Sequence, residues 1–218
     1  ELAATNPSAA IQAIEILPEA QAYIAPPAEY AVTTDKIERG VLDLIADYES
    51  NGSYIAVFPS STQSNLTTLT LTELDADMLT RINNVGGSAS GRYQIIRETL
   101  LDTSGPAVRQ NLNFNTTVFN EATQDSLALW LLYNRGTVNQ RLQNWIDGTA
   151  TNRQFLFSIA GTWAAFPDPD TGFSRYGGVG NNQALITVDV ALNHLENIRT
   201  GGTYVLRKDR EEDDWGVG

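Results

Sequence analysis

The chain has 218 residues and a formal net charge of -12, from 14 basic and 26 acidic side chains. This length predicts one domain of about 150 to 200 residues with tails. The acidic balance disfavours binding to nucleic acid or to an anionic membrane surface. No apolar run approaches the roughly 20 residues that a membrane-spanning helix needs.

Cysteine is absent, which excludes disulfides, thiolate metal sites and a thiol nucleophile. His194 is the single histidine, so histidine-based metal sites lack ligands as well. We therefore expect neither a metal nor a cofactor, and we expect carboxylates to carry any acid–base chemistry.

The two ends of the chain differ in composition from the middle. Residues 1–30 contain nine alanines and four of the eight prolines, a composition that favours extended chain. We expect residues 1–34 to form an arm and the charged residues 205–218 to form a solvated tail. The chain begins at Glu1 without a methionine or a signal peptide, so we expect a processed segment of a longer protein.

Between these ends, apolar residues recur mostly at helical spacing. The first helix is predicted over 35–49, where Asp35 and Glu38 have the spacing of a capping box. The pattern is lost over 50–71, where glycine, proline, serine and threonine indicate an irregular stretch or a small β-hairpin. Further helices are predicted at 72–82, 93–103, 120–135, 137–147, 152–165 and 182–199. No βαβ alternation is present, so the sequence predicts a mostly α domain over 35–204 with a small irregular or β lobe.

Glu49 is the first candidate for chemistry. It ends an apolar helix and is followed at once by small polar residues, which predicts a half-buried carboxyl that opens on solvent. Apolar surroundings raise the pKa of a glutamate because they penalise the charged form, as a glycosidase acid requires. The alternative is a surface glutamate at a helix end.

The second candidate is the glycine-rich segment GGSASGRYQ at 86–94. Its small residues would let the backbone approach a ligand, while Arg92, Tyr93 and Gln94 offer donors, a stacking face and an amide suited to an N-acetylated sugar. We expect Tyr93 and Gln94 to lie in the first turn of the following helix and to face Glu49 across a cleft. The alternative is a flexible turn that opens a helix.

Five segments in this order carry a resemblance over about residues 37–182. They are ADYESN, TLTLTELDADMLTRI, SASGRYQIIRETLLD, ATQDSLALWLLYNRG and IAGTWAAFPDPDTGFSRYGG. In these segments the chain resembles the lambda-type phage endolysins, which are lytic transglycosylases of the lysozyme superfamily. The resemblance implies an α+β lysozyme-like fold, with the small lobe lining a cleft that binds bacterial peptidoglycan.

The resemblance also implies roles for single residues. The family's catalytic acid falls on Glu49, and its glycine, arginine, tyrosine and glutamine at the cleft fall on residues 91–94. Glu49–Ser50 and the segment 133–136 are similar to motifs of soluble bacterial lytic transglycosylases, although Arg135 replaces a small residue. The expected substrate-binding residues are Ser50, Tyr54, Gly91, Arg92, Tyr93, Gln94, Tyr133 and Tyr176.

Whether the bond is hydrolysed or transglycosylated depends on a second carboxylate. Retaining glycosidases hold two carboxyl groups about 5 Å apart, and inverting ones about 6.5 to 9.5 Å apart. After Glu49 the next acidic residue is Glu73, so the predicted lobe supplies none. We expect a single-acid transglycosylase, although Glu73, Asp75 or Asp77 could fold back as a general base.

The expected setting is a phage virion or tail whose enzyme acts in the bacterial periplasm or cell wall. The expected partners are peptidoglycan glycan strands and, through the arm, other virion or tail proteins. Two alternatives stay open. The protein could be a soluble endolysin or muramidase, or it could be a virion structural protein that keeps a lysozyme fold without activity.

Overall fold

The computed structural model describes residues 28–136, 138, 141–178 and 182–209. This part is mostly helical and contains a two-stranded antiparallel sheet, which confirms the predicted fold class at that level. The helices are α1 (Ala28–Ser50), α2 (Leu71–Val85), α3 (Arg97–Leu101), α4 (Pro106–Arg109), α5 (Glu121–Asn134), α6 (Leu142–Ile146), α7 (Asn152–Ala160) and α8 (Val188–Arg199). The strands are β1 (Ala56–Val57) and β2 (Ser61–Thr62). None of these described helices is both long and apolar enough to cross a lipid bilayer.

Helix α1 runs through the core and packs against α5 and α8. Val41, Leu44 and Ile45 are fully buried on it. Gly40 permits the close approach of α8, because a Cβ at this position would lie 2.9 Å from the Ile198 Cγ2 atom. Burial along this helix fixes the position of its C-terminal end, where Glu49 lies.

The predicted start of α1 at Asp35 is wrong, because the helix begins at Ala28. The residues before Asp35 include good helix formers and continue the helix in the N-terminal direction. Glu38 does not fold back as a capping box requires; it is buried and accepts a hydrogen bond from the Tyr133 hydroxyl. The arm predicted over 1–34 therefore loses its last seven residues to α1, and residues 1–27 lie outside the described part.

The small lobe is a hairpin that the glycine-rich segment extends. Strands β1 and β2 pair antiparallel, with Ala56 opposite Thr62 and Val57 opposite Ser61. On the other side of β1, the Gly91 N–H donates to the Ala56 carbonyl at 2.7 Å. Of the irregular stretch or hairpin predicted within 50–71, the structure has the hairpin, and residues 89–90 pair with β1 and Phe58 on its other side.

The predicted helix at 93–103 is wrong over its first turn. Ser90 and Ile95 exchange both backbone hydrogen bonds, at 2.9 and 3.0 Å, so residues 91–94 form the turn between them. Gly91 and Gln94 have φ angles of +75° and +47°, which a right-handed helix cannot accommodate. Helix α3 begins only at Arg97.

Other helices are shorter than expected because buried turns also supply apolar residues. Helix α7 ends at Ala160, yet Trp163 and Phe166 beyond it are buried in the core. Helix α8 begins at Val188, where the Thr187 hydroxyl caps it by accepting from the Val190 N–H. The prediction at 137–147 reduces to the five residues of α6, and α4 was not predicted.

The solvated tail was predicted to begin too early. Asp47 of α1 is 0% exposed, and it accepts a hydrogen bond from the Tyr204 hydroxyl at 2.7 Å. The Arg207 guanidinium lies 3.3 Å from the same carboxylate. A buried carboxylate is stable only when it is paired, so these contacts hold the chain against α1 as far as Arg207. Residues 210–218 lie outside the described part.

Candidate active site

Glu49 lies in the last turn of α1 and is half-buried. Its Oε1 atom accepts a hydrogen bond from the backbone N–H of Ala165 at 3.0 Å. Burial raises the pKa of Glu49 to about 7, and the Ala165 bond acts in the opposite direction. Near neutral pH this carboxyl is therefore divided between its acid and base forms, as a group that both gives and takes a proton requires.

A turn that follows α7 brings Ala165 to the carboxyl. The indole N–H of Trp163 donates to the Tyr93 carbonyl at 3.0 Å, which ties this turn to the turn at 91–94. The ring of Phe166 is buried against Tyr48, with ring centres 5.9 Å apart. The environment of Glu49 is thus built by three segments that are distant in the sequence.

Glu49 lies where two surface depressions meet. One has a volume of about 330 Å³ and extends towards α5 and α7, and the other has about 590 Å³ and extends along the hairpin. Glu49, Phe58 and Gln94 line both of them. An open groove therefore passes the carboxyl on both sides, which suits a polymer that continues beyond the reacting bond.

Gln94 is the last residue of the turn at 91–94 and has a left-handed backbone conformation, with φ +47°. This conformation places its side chain at the groove. Its amide nitrogen donates to the Gly91 carbonyl at 2.9 Å, which holds the side chain in place. The sequence predicts Gln94 beside the groove in a helix, whereas the structure presents it from a turn.

Ser50 and Tyr176 also line the groove. The Ser50 hydroxyl donates to the Arg92 carbonyl at 2.7 Å and borders the larger depression. The Tyr176 hydroxyl donates to the Gly161 carbonyl at 2.7 Å and borders the smaller one. Both hydroxyl protons are engaged within the protein, so these residues offer the groove an acceptor oxygen and, for Tyr176, a ring.

Three residues expected to bind substrate take part in polar contacts within the protein. Arg92 is 7% exposed and pairs with Asp43 at 2.6 Å. The Tyr54 and Tyr93 hydroxyls donate to the same Oδ1 atom of Asp125, at 2.9 and 2.6 Å. Tyr93 borders the smaller depression but is only 1% exposed. The Arg92 and Tyr54 side chains thus line neither depression, and their contact with substrate stays a prediction.

Gly91 also has a packing role where ligand contact was expected. A Cβ at this position would lie 2.2 Å from the Gln124 Oε1 atom. That oxygen accepts the Arg92 backbone N–H at 2.8 Å, and the Gln124 amide nitrogen donates to the Phe119 carbonyl. Gln124 and Asp125 are supporting residues that the sequence analysis missed. Their signal was two polar side chains on α5 shortly before its apolar run, at a helix that packs in the core.

Tyr133 does not reach the groove. Its hydroxyl donates to Glu38, which lies eleven residues before Glu49 on α1. At 1.5 Å per residue, these two carboxyl-bearing positions are about 16 Å apart along the helix axis. Tyr133 lines neither depression, so its expected binding role stays a prediction, while its hydroxyl joins α5 to α1.

The candidates for a second carboxylate are engaged elsewhere. Glu73 caps α2 through Thr70, whereas Asp75 and Asp77 pair with arginines at 2.6 and 2.9 Å. Asp47 borders the larger depression but is bound by Tyr204 and Arg207. Among the described residues, Glu49 is thus the acidic side chain of the groove that has no cationic partner. The same part of the chain contains no group of three or more histidine, aspartate or glutamate side chains placed to hold a metal ion.

Comparison with known proteins gives no family model, no curated protein and no solved structure that matches this chain.

Proposed function

We propose that this protein cleaves the glycan strand of bacterial peptidoglycan between N-acetylmuramic acid and N-acetylglucosamine, with Glu49 as the acid–base group. The observation that carries the proposal is a half-buried carboxyl that is hydrogen-bonded to one backbone N–H and lines both of the depressions that form the groove. A mostly helical domain with a hairpin beside the groove supports a lysozyme-like fold as part of the same proposal.

The proposed reaction is a transglycosylation. Protonated Glu49 gives its proton to the glycosidic oxygen as the bond to C1 of the muramic acid breaks. The resulting carboxylate then takes the proton of the C6 hydroxyl of the same sugar, and O6 bonds to C1 to close a 1,6-anhydro ring. Glu49 returns to its acid form, and no water is consumed. Hydrolysis would need a second carboxylate that is free to act. Among the described residues of the groove, Glu49 is the one carboxylate without a cationic partner, which favours transglycosylation.

The test is mass analysis of the products released from purified peptidoglycan. The wild-type protein should release muropeptides lighter by one water than those with reducing ends. Glu49→Gln should lose at least about a hundredfold in rate, because an amide cannot deliver the proton. Glu73→Gln is the matched control, since this exposed glutamate caps α2 and does not border the groove.

Each alternative gives a different product pattern. Reducing N-acetylmuramic acid ends would identify a muramidase. Full activity in Glu49→Gln would remove Glu49 from the mechanism. The lack of any product from folded wild-type protein would favour a structural role without catalysis.

We also propose attachment to a phage virion or tail through the N-terminal arm, of which residues 1–27 lie outside the described part. Deleting residues 1–27 should leave glycan cleavage nearly unchanged and should abolish co-sedimentation with the particle. If the truncated chain still co-sediments with the particle, another surface makes the attachment. If the full chain does not co-sediment, a soluble endolysin is favoured.

A further inference from the structure

A third recess continues the groove at the ends of α5 and α7, and we call it the arginine recess. It has a volume of about 480 Å³, and two arginines, Arg135 and Arg175, are among the residues that line it. Arg135, Thr162 and Tyr176 line both this recess and the smaller depression beside Glu49. A substituent on a sugar bound next to Glu49 can therefore enter the recess without leaving the groove.

The end of α5 fixes the position of Arg135. The next residue, Gly136, has φ +89°, and a Cβ there would lie 2.6 Å from the Ser158 Oγ atom of α7. The turn after α5 is thus held against α7 while the Arg135 side chain stays exposed. The Arg135 guanidinium donates a long hydrogen bond, of 3.4 Å, to the Thr99 hydroxyl. In the described part of the chain, no carboxylate lies within ion-pair distance of Arg135.

Arg175 is held in place by Phe157. Its guanidinium lies 4.3 Å from the centre of the Phe157 ring, an arrangement that favours a fixed orientation. Gly161 leaves room beneath it, because a Cβ there would already lie 3.4 Å from the Nη1 atom. The nearest carboxylate is Asp168, at 3.6 Å from Nε, so the Nη side of the fork is free of a close carboxylate in the described residues.

The recess stands out against the rest of this acidic chain. Elsewhere in the described part, most arginines form ion pairs at 3.3 Å or less, for example Arg81, Arg92 and Arg97. Among the described residues, Arg135 has no ion pair and Arg175 has only the 3.6 Å contact with Asp168, so the recess is locally positive in a protein of net charge -12. A guanidinium fork matches a carboxylate through two parallel hydrogen bonds, so the favoured ligand is a carboxylate.

We propose that the arginine recess binds carboxylates of the peptide stem on the muramic acid, so that the preferred substrate is a peptide-bearing strand. This inference rests on the proposed function, because a strand must first occupy the groove beside Glu49. Neutral sugar hydroxyls and acetamides would leave Arg135 without a partner of opposite charge, and Arg175 with Asp168 alone, at 3.6 Å.

Binding measured by calorimetry tests the inference. The Glu49→Gln protein, which should not turn the ligand over, is titrated with a peptide-bearing tetrasaccharide and with the same fragment after its stem carboxylates are converted to amides. Amidation should weaken binding about tenfold, as expected for two partly exposed charge pairs. Arg135→Gln with Arg175→Gln should weaken binding of the free acid by the same factor and leave the amidated fragment unchanged.

Arg153→Gln in the same background is the matched control. Arg153 is an exposed arginine of α7 that pairs with Asp170 and does not line the recess. It should keep the full preference for free carboxylates. Arg175→Glu is a second variant, in which a negative charge replaces a positive one. It should bind the fragment with free carboxylates more weakly than Arg175→Gln does, and it should bind the amidated fragment as the parent does.

The failures of the two proposals are distinguishable. Equal binding of both fragments by the parent, or a preference retained in the double variant, would overturn the role of the recess and leave the proposed function standing. Binding of neither fragment by the folded parent would contradict the proposed function itself, and the inference with it.

Discussion

Replacing Glu49 by glutamine should stabilise the fold in a way that depends on pH. The native pKa of about 7 lies above the ordinary value of 4.5 because burial penalises the charged form. Between these two values the folded protein keeps a proton that the unfolded chain has lost. The free energy of unfolding of the wild type should therefore fall as pH rises from 4.5 through 7, and the fall should then level off.

The size of this effect follows from the shift. One pKa unit is worth about 1.4 kcal/mol, so the full change corresponds to about 3 kcal/mol. Glu49 borders an open groove that admits water, which reduces the cost of its charge. The compared quantity is the free energy of unfolding of Glu49→Gln minus that of the wild type. We expect this difference to be about 1 to 3 kcal/mol larger at pH 8 than at pH 4. The glutamine oxygen can still accept the Ala165 N–H, so this bond should not obscure the comparison.

Urea unfolding of both proteins at pH 4, 6 and 8 measures this difference. Comparing the two proteins at each pH cancels most of the repulsion that arises from the net charge. Glu73→Gln is a control of opposite sign, because its bonds to Thr70 hold the pKa of Glu73 below the ordinary value. Above pH 4.5 the free energy of unfolding of Glu73→Gln should be lower than that of the wild type. In acid the two values should differ little. If Glu49→Gln shows the same stability difference at pH 4 and pH 8, Glu49 titrates normally and the argument for a half-buried acid is refuted.

Three further predictions concern the groove and its support. Glycan cleavage should fall about tenfold per pH unit above pH 7, because only protonated Glu49 can donate; a rate that stays flat to pH 9 would contradict this. Gln94→Ala should lower kcat/KM about tenfold or more while the melting temperature changes little, whereas a large loss of stability would show a structural role. Gly91→Ala should destabilise the fold by about 2 to 4 kcal/mol, measured by urea unfolding, because φ +75° and the Gln124 oxygen both oppose a Cβ.

Sequence patterns predicted an element correctly where the residues of one segment are enough to determine it. Asn120 caps α5 by accepting from the Thr123 N–H, and the apolar run that follows fills the core, so this helix was predicted within about one residue at each end. The loss of helical spacing after Glu49, together with glycine, proline, serine and threonine, predicted an irregular stretch or a small hairpin, and the structure has the hairpin. Local signals failed at 91–94, because the φ angles of Gly91 and Gln94 are set by pairing between Ser90 and Ile95.

The sequence by itself determined the helical class, the small lobe and the helix-end position of Glu49, because apolar spacing and glycine content act through neighbours along the chain. Only the tertiary structure decided which of the polar residues face the groove. Gln94 faces it, whereas Arg92 turns to Asp43 and Tyr133 to Glu38. The reason is that a buried polar group goes wherever the fold supplies a partner, and those partners lie 49 and 95 residues away.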